Sequence, residues 1–185
     1  MNSVNWPNFL TISRIVLIPI FILIFYSPID SSHFWAGVLF CLAGITDWLD
    51  GYLARRLGQV TRLGAFLDPV ADKMMVVVAL VVLVEEYASL VISFPAMVII
   101  CREIAISALR EWMAEIGKRA HVAVSSIGKV KTTIQIIAIA GLGTLPLGYY
   151  FWNIFFMFLL YMSVFLTIWS MVIYLRAAWD DLIKA

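Results

Sequence analysis

The sequence predicts an all-α polytopic membrane protein of six transmembrane helices, built as a single domain over residues 1–185. Three observations carry that reading. Apolar residues make up 63% of the chain and charged ones only 14%, which is more hydrocarbon than one soluble core of this length can bury. The apolar residues gather into six long stretches, at about Asn8–Tyr26, Phe34–Leu57, Ala65–Val84, Leu90–Ile116, Ser125–Leu145 and Tyr150–Leu175, each near the ~20 residues that cross a bilayer as helix. The basic residues, finally, fall at alternate ends of those stretches.

Taken in order, the first stretch has neither a basic n-region nor a small-residue cleavage site, so it reads as a retained span and not a signal peptide. With the N-terminus inside, Arg14, Arg55, Arg56, Arg62, Lys73, Arg102, Arg110, Lys118, Arg119, Lys129, Lys131, Arg176 and Lys184 all lie at or towards cytoplasmic helix ends. The opposite loops carry only Asp30, His33, Glu85 and Glu86. This positive-inside pattern places both termini in the cytoplasm. Trp6, Trp35, Trp152 and Trp179 stand near span ends, where amphipathic rings favour the interface. Cys41 and Cys101 lie within helices, are too few for a disulfide framework, and read as small apolar residues. No repeat, low-complexity tract or long linker separates the stretches, and the net charge of +1 suggests no nucleic-acid partner.

The unusual segment runs from Thr46 to Asp72, across the junction of the second and third helices. It holds Asp47, Asp50, Asp68 and Asp72. The spacings are i, i+3 and i, i+4, so each pair projects from one helix face and the two pairs can converge between antiparallel helices. Four carboxylates so placed repel by several kcal/mol at low effective dielectric unless protonated or neutralised by cations. Oxygen-only donors suit Mg²⁺, Mn²⁺ or Ca²⁺, and no Cys/His cluster points to zinc. Gly51 and Gly64 allow a bulky ligand close to the backbone, Ala54 keeps the same face shallow, and Arg55 adds a cation suited to a diphosphate. Pro69 kinks the third helix or marks its first turn. The plainer alternative is an ion network of the acids with Arg55, Arg56, Arg62 and Lys73. It is disfavoured because intramembrane carboxylates are costly and tend to mark function.

The pattern Asp-x2-Asp-Gly-x2-Ala-Arg-x8-Gly-x3-Asp-x3-Asp, matched at every position by Asp47, Asp50, Gly51, Ala54, Arg55, Gly64, Asp68 and Asp72, resembles the signature of the CDP-alcohol phosphotransferase family. The flanks Asn5–Arg14, Cys101–Arg119 and Ser125–Thr133 extend the resemblance over essentially the whole chain, towards that family's bacterial phosphatidylglycerophosphate synthase branch. The resemblance implies a six-helix membrane fold, commonly a homodimer, in the bacterial inner membrane. It further implies that the phosphatidyl group of CDP-diacylglycerol passes to sn-glycerol 3-phosphate with release of CMP, at the cytoplasmic leaflet. Two divalent cations, Mg²⁺ or Mn²⁺, would be held by Asp47, Asp50, Asp68 and Asp72, with Asp72 also the base. The donor would lie along Gly51, Ala54, Arg55, Thr61 and Gly64.

For the acceptor, a dianion, Arg102, Arg110, Lys129 and Lys131 are candidate phosphate ligands on the fourth and fifth helices. Lys129 and Lys131 read equally well as anchors that snorkel to lipid phosphates. Glu103 and Glu111 are placed to orient the arginines, Glu115 and Arg119 pair at i, i+4, and His121 reads as a solvated loop residue. Two rival functions stay open at this point. One is the same chemistry on inositol phosphate, serine or a second phosphatidylglycerol; the other is a metal-ion or proton-coupled transporter using the same acids.

Overall fold

The computed structural model describes residues 6–57, 62–117, 126–145 and 149–184; within them, side chains are described outside 6–11, 47–57, 62–66, 68, 69, 72, 126–129, 180–182 and 184. Six α-helices and no strand occur among the described residues: α1 (Trp6–Phe25), α2 (Ser32–Leu57), α3 (Arg62–Tyr87), α4 (Leu90–Glu115), α5 (Ser126–Thr144) and α6 (Tyr150–Lys184). They follow the six apolar stretches closely. The largest departure is α6, which continues past Leu175 to Lys184 because Ala177, Ala178 and Leu182 sustain helix although the segment has become polar. By length and composition, Leu90–Glu115 and Tyr150–Trp179 are long and apolar enough to cross a membrane, and shorter apolar helices run over Ile12–Phe25, Ser32–Thr46 and Val130–Thr144.

Helix ends are set locally. Ser89 caps α4 from an extended backbone, its Oγ accepting from Val91 N at 3.3 Å. The preceding turn is so short that Ala88 takes a positive φ of 43°. Beyond α4, Gly117 adopts φ 74° and its N–H bonds the Ala114 carbonyl at 3.2 Å, a conformation open to glycine without steric cost. Pro19 in α1 and Pro95 in α4 stand inside helices, as neighbouring helices permit in an apolar bundle.

In the bundle, α1 packs on α2 and α3, α5 on α6 and α2, and α4 on α6 and α3. The apolar core draws on all six helices, with Phe21, Phe40, Leu80, Leu83, Ile99, Ile139 and Leu160 buried together. Two glycines set how closely the helices approach. A Cβ on Gly37 would fall 1.8 Å from Thr144 Oγ1, and one on Gly141 would fall 2.3–2.4 Å from the Phe156 ring. The small residue at each crossing is therefore part of the packing.

The core separates two polar ends. At one, Tyr26 donates to Glu85, His33 lies 3.4 Å from Glu86 and packs tilted against Phe25 with centroids 4.6 Å apart, and Tyr87 Oη lies within hydrogen-bond distance of both Leu142 O, at 3.3 Å, and Asn153 Oδ1, at 3.2 Å. Lys73 stands near the middle of α3, towards the other polar region, twelve residues and about 18 Å from Glu85 along the helix. The segregation of charge seen along the chain is thus a segregation in space.

The Gly141→Ala variant is expected to lose about 1–3 kcal/mol of stability through overpacking against Phe156. Gly143→Ala, whose Cβ would meet only Leu83 Cδ2 at 3.9 Å, is expected to stay near the parent. Unfolding midpoints of the two variants in detergent micelles make the comparison; equal midpoints would refute the close α5–α6 contact.

Candidate active site

Helices α2 and α3 carry the eight-position motif, and the helix is unbroken through both acid pairs. Thr46 supports this continuity just before Asp47: its hydroxyl donates back to Leu42 O at 3.0 Å and Ala43 O at 2.9 Å, turning a polar side chain onto its own helix. With i, i+3 and i, i+4 spacing inside continuous helix, each acid pair shares one helix face. The side chains of Asp47, Asp50, Ala54, Arg55, Asp68 and Asp72, and the surroundings of Gly51 and Gly64, lie outside the described residues, as does Thr61 altogether. Pro69 falls seven residues after the start of α3 at Arg62, so it does not mark the first turn.

A cavity of about 150 Å³ opens beside these segments. Its polar wall comes from Arg14 of α1, Lys73 of α3, Glu103 of α4 and Lys131 and Gln135 of α5; Phe40, Met75 and Ile136 supply apolar wall. Ala71 and Lys73, the sequence neighbours of Asp72, both line it, and so does Gly44, one turn before Asp47. Among the described residues, three cationic side chains and one carboxylate line this cavity.

The carboxylate organises its surroundings. Glu103 Oε1 accepts from Arg102 Nη1 at 3.0 Å and from Lys131 Nζ at 2.5 Å, joining α4 to α5. Arg102 is 7% exposed and Lys131 3%, so burying their charges is costly without such a partner. Arg102 Nη2 also donates to Ser170 Oγ of α6 at 2.8 Å. Two turns along α4, Arg110 Nη2 donates to Tyr174 Oη at 3.4 Å, and the guanidinium carbons of Arg110 and Arg102 lie 5.3 and 6.0 Å from the centroid of that same ring. On the α3 side, Lys73 Nζ donates to Ser107 Oγ, which itself donates to Glu103 O at 2.6 Å.

Of the four candidate phosphate ligands, Arg102 and Lys131 are brought together through Glu103, Arg110 is linked to Arg102 across the Tyr174 ring, and the Lys129 side chain lies outside the described residues. Lys131 points inward to Glu103 and does not snorkel outward. Glu103 does orient an arginine, as its position next to Arg102 suggested. Arg119 and His121 lie outside the described residues. Sequence reasoning singled out neither the cavity-facing role of Arg14 and Lys73 nor Gln135; the available signal for Gln135 was its i, i+4 spacing from Lys131.

Removing Glu103 should strand two buried cations. Glu103→Leu is expected to destabilise by about 3 kcal/mol or more, and Glu103→Leu/Lys131→Met by clearly less than the sum of the single changes. A double-mutant cycle on unfolding free energies measures this coupling, and additive effects would refute it.

Comparison with known proteins places this site in a family. Residues 4–169 match the CDP-alcohol phosphatidyltransferase family model. A Haemophilus influenzae protein called CDP-diacylglycerol–glycerol-3-phosphate 3-phosphatidyltransferase is 55% identical, with 97% of this chain and 96% of the relative covered. An Escherichia coli protein of the same name is 52% identical with 97% of each chain covered. With matches of this extent over the acid-bearing helices and the cation-lined cavity alike, the chain belongs to the CDP-alcohol phosphatidyltransferase family.

Proposed function

We propose that this chain is an integral membrane enzyme that transfers the phosphatidyl group of CDP-diacylglycerol to sn-glycerol 3-phosphate, giving phosphatidylglycerol phosphate and CMP. The observation that carries the proposal is the identity of more than half the residues, along nearly the whole chain, with relatives named for this reaction. The cavity supports it chemically, since its cationic wall suits a dianionic acceptor. The Nε–H groups of Arg102 and Arg110 have no hydrogen-bond partner among the described residues, leaving donors that phosphate oxygens can satisfy. The surface supports a membrane setting: Phe151 is 77% exposed and Phe158 and Phe165 64%, along a helix whose apolar side chains need lipid against them. On this reading all six helices of the single domain span a bacterial inner membrane, and the cavity end faces the cytoplasm, as the positive-inside pattern requires. A homodimer is part of the same reading.

In the proposed reaction the primary hydroxyl oxygen of the acceptor forms a bond to the phosphorus that bears diacylglycerol. The bond from that phosphorus to the CMP oxygen breaks, and the hydroxyl proton passes to Asp72. Asp47, Asp50, Asp68 and Asp72 form an all-oxygen donor set on two neighbouring helices, which fits two Mg²⁺ or Mn²⁺ ions. Bound there, such ions would neutralise the diphosphate and stabilise charge on the attacking and leaving oxygens. Gly51, Ala54, Arg55, Thr61 and Gly64 would hold the donor head group, while Arg102, Arg110, Lys129 and Lys131 would hold the acceptor phosphate. The donor's acyl chains remain in lipid, and cytidine and acceptor arrive from water at the inner helix ends. The transporter alternative fits less well, because the acids sit at one end of the helices and the core beyond them is apolar.

Release of CMP from CDP-diacylglycerol in mixed micelles, with sn-glycerol 3-phosphate, serine or inositol phosphate as acceptor, tests the assignment. Turnover is expected with the first alone, to vanish on chelation and to return with Mg²⁺ or Mn²⁺. Full activity after chelation would remove the metals from the mechanism, and metal flux without CMP release would favour transport.

Arg110→Ala is expected to raise KM for sn-glycerol 3-phosphate by roughly tenfold or more, the worth of one charge-assisted hydrogen bond, with little change in KM for CDP-diacylglycerol. Equal losses for both substrates would assign Arg110 to the donor or to folding.

A further inference from the structure

Among the described residues, the buried amide oxygen of Gln135 stands in the cavity wall without a hydrogen-bond partner. Gln135 is 3% exposed, and no described residue donates to its Oε1. A buried amide oxygen left in that state costs free energy, so its occurrence in a cavity wall points to a partner delivered by a ligand. The chemistry of that partner is narrow. An amide oxygen only accepts, so the ligand must present a hydroxyl or another donor.

The position of Gln135 narrows it further. Gln135 follows Lys131 by four residues on α5, so both stand on one helix face about 6 Å apart along the axis. Both line the same cavity, with Arg14, Lys73 and Glu103 around them. An occupant whose anionic end meets Lys131 and its neighbours would reach Gln135 with a group a few bonds from its phosphorus. It lies on α5 and not on the acid-bearing helices where the reacting hydroxyl must give up its proton, and a neutral amide is no base.

We propose that Gln135 is a specificity-determining positioning residue, its Oε1 accepting a hydrogen bond from the non-reacting secondary hydroxyl of a short polyol phosphate acceptor. This rests on the reading of the chain as a transferase to sn-glycerol 3-phosphate and adds to it the means by which the carbon backbone of the acceptor is read. The amide selects for the secondary hydroxyl and turns the primary hydroxyl towards α2 and α3. An acceptor lacking the secondary hydroxyl leaves Oε1 unsatisfied, which is the strongest way for a site to reject an analogue.

The test compares sn-glycerol 3-phosphate with 3-hydroxypropyl phosphate, which lacks only the secondary hydroxyl, at saturating CDP-diacylglycerol in mixed micelles. The parent is expected to favour sn-glycerol 3-phosphate by at least about tenfold in kcat/KM. Gln135→Leu, similar in size, is expected to abolish most of that preference: about tenfold or more lost with sn-glycerol 3-phosphate, and activity with 3-hydroxypropyl phosphate kept or raised. A purely structural role would lower both acceptors alike and leave the preference intact, which overturns the assignment. Should Gln135→Leu fail to fold, the parent alone decides, because equal use of the two acceptors would mean that water satisfies Oε1. If the parent uses sn-glycerol 3-phosphate but shows no preference, only the Gln135 assignment falls. If it uses neither phosphate but does use serine or inositol phosphate, the function itself falls and the assignment with it.

Discussion

Charge buried among apolar helices has to be compensated where it stands, because neither lipid nor hydrocarbon side chains can solvate it. In this protein the compensation runs through Glu103. One carboxylate oxygen meets both Arg102 and Lys131, and Arg102 in turn reaches Ser170, so a single acid on α4 positions α5 and α6 against it. The backbone of Glu103 takes part too, accepting from Ser107, to which Lys73 of α3 donates. Four helices are joined at one end of the bundle by this polar network, while the remainder is held by packing.

Around the cavity, Arg14, Lys73 and Lys131 share the wall with Glu103, the acid that lines it among the described residues. A site that balanced every charge internally would have no affinity for an anion. A site with no internal acid would leave its cations mutually repelling and costly to bury. Glu103 lies between these limits. It gives the buried Arg102 and Lys131 an anionic partner within the protein.

The opposite end is built differently. Tyr26, His33, Glu85, Glu86 and Tyr87 close the helices over one another with short contacts, next to the tight Ala88 turn. Between the ends, Gly37 and Gly141 let helices approach until side chains interlock, so the apolar section is tight, and the only space of note there lies between Phe21, Phe25, Gly37 and Leu83 among the described residues.

Much of this was legible along the chain. Six apolar runs of membrane-spanning length become helices whatever their neighbours, since helix satisfies its own backbone groups. The acids at Asp47, Asp50, Asp68 and Asp72 stand out in any reading, because carboxylates in an apolar run are costly and tend to mark function. Helix periodicity alone placed each pair on one face. What the sequence could not determine is which face meets which. Lys131 read equally well as a lipid anchor or a ligand, and only the packing of α5 on α2, α3 and α6 turns its ammonium to Glu103 of α4. Arg14 and Lys73 looked like topological charges until α1 and α3 brought them to the cavity. Gln135 looked like any polar residue in a helix, and its unsatisfied oxygen exists only once neighbouring helices exclude water. Local spacing is encoded within a helix, but partnership between helices depends on their mutual rotation and approach, and that is decided by the core and its glycines acting together.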